Sequence, residues 1–142
     1  MDGSIGSEKL DELKETFEFL EDWTEKYSHL IELGKAMPPL DVAFKTDVYK
    51  VQGCMSQVWL VADKRDSEQP IYDFRGDSDA LIVKGLVALV LMIFSGKTAN
   101  QIESLDEKAI FSELGLDSHL SIGRRNGLES MVLKIKSFSK RG

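Results

Sequence analysis

One cysteine, two histidines and three prolines occur in 142 residues, and each shortage closes off a class of protein. A lone cysteine cannot form an intramolecular disulfide, which fits a reducing compartment rather than a stapled secreted scaffold. Cys54, His29 and His119 have no ligand spacing for zinc, so these residues alone make no metal site. Basic residues are outnumbered: 18 Lys and Arg stand against 24 Asp and Glu, a formal net charge of −6. That balance argues against nucleic acid as the main partner, because phosphate binding needs a basic surface. The longest apolar stretch, Gly85 to Phe94, falls far short of the roughly 20 residues that span a bilayer. The first residues, Met-Asp-Gly-Ser-Ile-Gly-Ser-Glu, show neither the basic and apolar regions of a secretory signal nor an Arg-rich transit pattern. No Gly-rich phosphate loop, Ser-His-Asp order or pair of catalytic carboxylates can be picked out. The expectation is a soluble, cytoplasmic protein that binds neither membrane nor nucleic acid.

What is present suits one domain over residues 1–142, with about 1–7 and 139–142 frayed. Its 42% hydrophobic residues are enough for a sizeable core. Apolar residues at Leu10, Leu13, Phe17 and Leu20 predict a first helix, with Ser7 as its N-cap. Asp22 and Glu25 have the spacing of a capping box, opening a second helix with the stripe Tyr27, Leu30, Ile31 and Gly34. Pro38-Pro39 closes it. Val48–Gln52, Gln57–Ala62 and Pro70–Arg75 carry strand-favouring residues, and their short connections predict an antiparallel meander.

After Gly76, Asp77-Ser78-Asp79 reads as the start of a helix running to Phe94, apolar nearly all round and therefore central. Gly96 suits the position that follows it. Thr98 and Gln101 form a second capping box before a short helix. Another short helix covers Asp106–Leu114 and stops at Gly115. The last starts near Gly123 and buries Leu128, Met131, Val132, Ile135 and Phe138. The order is ααβββααα: an α+β domain with a three-stranded antiparallel sheet packed against helices.

Chemistry points first to Cys54. It sits in Gly53-Cys54-Met55-Ser56, a tight connection between two strand-like runs. Gly53 is free to take the dihedrals a turn demands. A cysteine is commonly a small buried hydrophobe, while a thiol at a turn tip can act as a nucleophile; the residues leave both readings open. Arg124-Arg125 opens the last helix, where cations oppose the dipole, although solvated arginines suit such a position too. Trp23 and Trp59 read as packing residues.

Val51-Gln-Gly-Cys-Met-Ser-Gln-Val-Trp59, followed by Phe74-Arg-Gly-Asp-Ser-Asp-Ala80 and Ile82-Val-Lys-Gly-Leu86, resembles the SufE family. Members of that family accept sulfur from cysteine desulfurases during iron–sulfur cluster assembly. Trp23, Ile31-Glu-Leu-Gly34, Leu120-Ser-Ile-Gly-Arg124 and Asn126-Gly-Leu-Glu-Ser-Met131 extend the resemblance over about Leu10 to Ile135. The resemblance implies an α+β fold like that of IscU-type scaffolds. It implies that Cys54 takes sulfane sulfur as a persulfide from a pyridoxal-phosphate cysteine desulfurase, stimulates that enzyme, and passes the sulfur to an assembly scaffold. The carrier would need no cofactor of its own. Gly53, Ser56, Asp79 and Arg124 would position the loop and engage the partner, with an Asp79–Arg124 contact between two helix starts. Cys54 would rest near apolar surface and extend on docking. The alternatives are a scaffold or interaction module in which Cys54 is not the acceptor, and a thiol redox enzyme, which would want a resolving thiol.

Overall fold

The computed structural model describes residues 4–54 and 56–140; residues 1–3, 141 and 142, at the ends predicted to fray, and Met55 lie outside them. Two helices come first, α1 (Ser4–Phe19) and α2 (Trp23–Lys35). Ser7 lies inside α1 rather than at its cap. Asp22 caps α2: its side chain accepts from the Glu25 amide at 2.9 Å, satisfying one of the free donors of the first turn.

The sheet is antiparallel, in the order β1 (Val58–Arg65), β2 (Ile71–Ser78), β3 (Lys97–Thr98). Its third strand is not Val48–Gln52. Val48 belongs to a turn and is exposed, with the Tyr49 amide bonded back to the Thr46 carbonyl. Only the next residues reach β1, through Val51 N to Val58 O at 2.8 Å and Leu60 N to Tyr49 O at 2.9 Å. The two-residue β3 instead joins the far edge, after the chain returns from the central helix, with Lys97 opposite Tyr72 and Thr98 opposite Ile71. A strand so short carries no alternation that could announce it.

That central helix, α3 (Leu81–Phe94), buries Leu86, Val87, Leu89, Val90, Ile93 and Phe94, each 1% exposed or less. Burying a side chain of this size stabilises by about 1.5–3 kcal/mol, so α3 is the hub of the core. It crosses α2 closely enough that only glycine fits at the contact. A Cβ on Gly85 would stand 2.3 Å from the Leu30 carbonyl oxygen. The core face of the sheet packs against α3 and the last helix, α7 (Ile122–Lys140). On the opposite face Trp59 and Val61 are buried with Leu40 under Phe44 and Tyr49, which explains why the first half of β1 is buried on alternate residues of both kinds.

Asp77-Ser78-Asp79 does not cap α3. Asp77 and Ser78 belong to β2, and Ala80 is the N-cap residue, with no side-chain bond to the helix. The carboxylates are taken elsewhere. Asp77 is 7% exposed and pairs with Lys45 at 3.0 Å and Lys84 at 3.4 Å. Between β3 and α7 come α4 (Ala99–Ser104), α5 (Glu107–Glu113) and the short α6 (Leu116–His119). Both bonds of the Thr98–Gln101 capping box are made. His119 closes α6, and its ring stacks on Trp23 with centroids 4.2 Å apart.

Candidate functional site

The turn that carries Cys54 is held from both ends and from below. At its entrance, Gly53 has φ of +90°, in the left-handed region that side chains avoid, and a Cβ there would lie 2.6 Å from Ser130 Oγ of α7. At its exit, Asp79 Oδ1 accepts from the Gln57 amide at 3.0 Å, while the Asp79 amide donates to the Gln57 carbonyl at 3.2 Å. Farther back, Lys134 Nζ of α7 donates to the Val48 carbonyl at 3.5 Å. The loop therefore lies against one face of α7 and against the start of α3.

Its sulfur points inward. Cys54 is half-buried, and its thiol donates to the Gly127 carbonyl oxygen of α7 at a donor–acceptor distance of 3.6 Å, within the range for sulfur. A Cβ on Gly127 would stand 3.4 Å from Sγ, an ordinary contact distance, so the sulfur rests directly against this turn of α7. Around it is a cleft of about 420 Å³, with apolar walls that include Ile82, Val83, Leu86 and Met131. Ser56 and Arg124 also line it. Burial raises the Cys54 pKa above its ordinary value, because taking an anion out of water is costly. The carbonyl acceptor acts in the same direction, since it can bond only the protonated thiol. Both effects favour the neutral thiol over the thiolate.

The sites named from sequence are thus distributed as follows. Gly53, Cys54 and Asp79 form and clamp the loop, and Ser56 and Arg124 share the cleft. Asp79 and Arg124 make no hydrogen bond or ion pair with each other among the described residues: Asp79 is engaged by Gln57, and the Arg124 side chain has no such partner there. The backbone amide of Arg124 instead donates to Ser121 Oγ at 3.3 Å. Sequence reasoning missed Gly127, Ser130 and Met131 as parts of the site. The one available signal was Gly127 itself, since a glycine inside a helix often marks a close approach. It also missed Asp77, whose pairing with Lys45 ties the turn after Leu40 to the sheet edge beside the clamp. A larger groove, about 510 Å³ between α5, α6 and α7, contains no thiol and has a floor of Phe111, Leu116, Leu120 and Leu128. Among the described residues no group of three or more His, Cys, Asp or Glu could hold a metal ion, and no helix is long and apolar enough to cross a membrane.

Comparison with known proteins adds a family to this geometry. The model of a family described as "SufE: Fe-S metabolism associated domain" matches residues 11–139. An uncharacterized SufE-like protein of Rhizobium meliloti is 50% identical over 129 residues, 90% of this chain and 92% of that one. An uncharacterized SufE-like protein of Rhizobium etli is 52% identical over 132 residues, 92% of this chain and 89% of the relative. In three dimensions, the solution structure of a hypothetical protein from Thermus thermophilus superposes with a TM-score of 0.72. It covers 94% of both chains at 18% identity, a likeness of fold alone.

Proposed function

Because the chain belongs to the SufE family, whose domain is associated with Fe–S metabolism, we propose that Cys54 is a sulfur acceptor that carries sulfane sulfur as a persulfide. The donor is a cysteine desulfurase, whose pyridoxal phosphate does the carbon–sulfur chemistry; this chain supplies only the accepting thiol and activates the donor by unloading it. The acceptor downstream is an iron–sulfur assembly scaffold. The observation that carries this reading is the placement of the single thiol on a clamped turn, half-buried in an apolar cleft.

The transfer balances as a displacement. Cys54 first loses its proton, and the thiolate attacks the outer sulfur of the donor's persulfide. A new S–S bond forms at Cys54 while the donor's S–S bond breaks, and the donor sulfur leaves as a thiolate with the bonding pair. Repeating the step on an acceptor thiolate returns Cys54 to its starting state. The resting geometry disfavours the first event, because burial and the Gly127 carbonyl both hold the proton on sulfur. Docking of the donor must therefore bring Cys54 out of the cleft or place positive charge beside it. Between handovers the same apolar walls would keep a persulfide from water and reductants.

Intact-mass analysis after incubation with an active cysteine desulfurase and cysteine tests the reading. One added sulfur that is absent from Cys54→Ser is the expected result. An unmodified wild-type chain, with the desulfurase turning over, would overturn it. Faster alkylation of Cys54 in the presence of the desulfurase is expected if docking opens the cleft, and equal rates would remove that step.

A further inference from the structure

Two large exposed apolar side chains sit next in the chain to residues that line the Cys54 cleft. Leu81 is the first residue of α3 and is 62% exposed; Ile122 is the first residue of α7 and is 69% exposed. Singly, an exposed Leu or Ile needs no explanation. Their placement does. Leu81 lies between Ala80 and Ile82, and Ile122 between Ser121 and Gly123, and all four of those neighbours line the cleft. Each of the two residues is thus a lip of the opening, turned outward while the residues on either side of it form the wall. The other exposed large apolar residues, such as Phe19, Val42 and Val48, have no cleft-lining neighbours.

We propose that Leu81 and Ile122 are the apolar anchors on which the sulfur donor docks, an inference that rests on Cys54 being the acceptor. The donor must bring a persulfide to bonding distance of Cys54 Sγ, and both residues adjoin segments that wall the cleft around that sulfur. Covering them during transfer would remove water from around the reacting sulfurs and bury apolar area at the centre of the contact, where binding energy concentrates. Arg124 specifies the charge of the occupant. It lines the same cleft with no hydrogen bond or ion pair for its side chain among the described residues, in a chain of net charge −6. A donor with apolar residues and a carboxylate on the rim of its active site fits that surface. A second copy of this chain does not, because symmetric pairing about the opening would set Arg124 against Arg124.

The test measures the rate of sulfur addition to Cys54 against the concentration of a cysteine desulfurase, for wild type, Leu81→Asp and Ile122→Asp. Both positions are at the surface, so both variants should keep the wild-type unfolding midpoint. Each is expected to raise the half-saturating desulfurase concentration by about tenfold, the loss typical of an interface anchor, with a smaller effect on the plateau rate. Sulfur addition from a low-molecular-weight persulfide, which needs no docking surface, should be unchanged in both. If wild type takes no sulfur, the acceptor reading itself fails. If wild type is loaded normally and the double variant L81D/I122D saturates at the same concentration, the acceptor reading stands and the docking inference falls. Self-association of wild type that the double variant loses would also overturn it, by assigning the lips to a second copy.

Discussion

Asp79 and Gln57 exchange two hydrogen bonds, side-chain Oδ1 from the Gln57 amide at 3.0 Å and Asp79 amide to the Gln57 carbonyl at 3.2 Å. The pair closes the exit of the Cys54 turn onto the residue two places before α3. Only the first of the two bonds depends on the side chain. Asp79→Ala should therefore loosen the turn without unfolding the protein, at a cost of about 1 kcal/mol, and Cys54 should react severalfold faster with iodoacetamide. Asp79→Asn keeps an oxygen acceptor and should react at close to the wild-type rate. Equal rates for wild type and Asp79→Ala would show that the clamp does not restrain the thiol.

Burial raises the Cys54 pKa, and the sign of the consequence follows. Native protein holds the proton to higher pH than the unfolded chain, so the thiol's contribution to stability is intact below the unfolded pKa and is lost as pH rises through the folded one. Alkylation of the folded protein by iodoacetamide should rise with pH along a curve displaced upward from that of the urea-denatured chain. Cys54→Ala should flatten the loss of stability at alkaline pH. A native curve lying below the denatured one would mean that the cleft stabilises the thiolate.

The same linkage runs the other way at Asp77. Its burial alone would raise the pKa, but the hydrogen bond from Lys45, the Ser78 amide and the charges of Lys84 and Lys45 outweigh it and leave the pKa lowered. Stability from this group is therefore present above the ordinary carboxylate pKa and lost as pH falls through the folded value. Asp77→Asn should cost about 1–3 kcal/mol at neutral pH, moderated because both lysines still reach solvent. Urea midpoints measured at neutral and acidic pH should show the variant losing less on acidification than wild type. Parallel losses would place the acid sensitivity elsewhere.

Gly85 separates packing from local conformation. Gly85→Ala drives a methyl to 2.3 Å from the Leu30 carbonyl oxygen, a backbone atom that moves only if α2 and α3 part. A loss of about 3 kcal/mol is expected. Gly96→Ala meets open space, and its cost comes only from φ of +77°, about 1 kcal/mol. Thermal or urea unfolding of the two variants should rank them in that order.

Much of this protein is written in local patterns, and those patterns were legible. The Asp22 cap, the Thr98–Gln101 box and the all-round apolar run of α3 follow from neighbours within a few positions, so the sequence alone predicts them. It likewise predicts an α+β domain with a three-stranded antiparallel sheet and a turn carrying Cys54. Elements decided by distant partners were hidden. Asp77-Ser78-Asp79 has the composition of a helix cap, yet Lys45, Lys84 and Gln57 claim its carboxylates. Lys97 and Thr98 are a strand only because α3 returns them to the edge of β2. Most consequentially, the sequence marks Cys54 as the single thiol on a turn, but it does not state the protonation of that thiol. The structure adds that α7 and the cleft favour the protonated form, the Gly127 carbonyl by accepting a hydrogen bond from the thiol and the apolar walls by desolvating a charge.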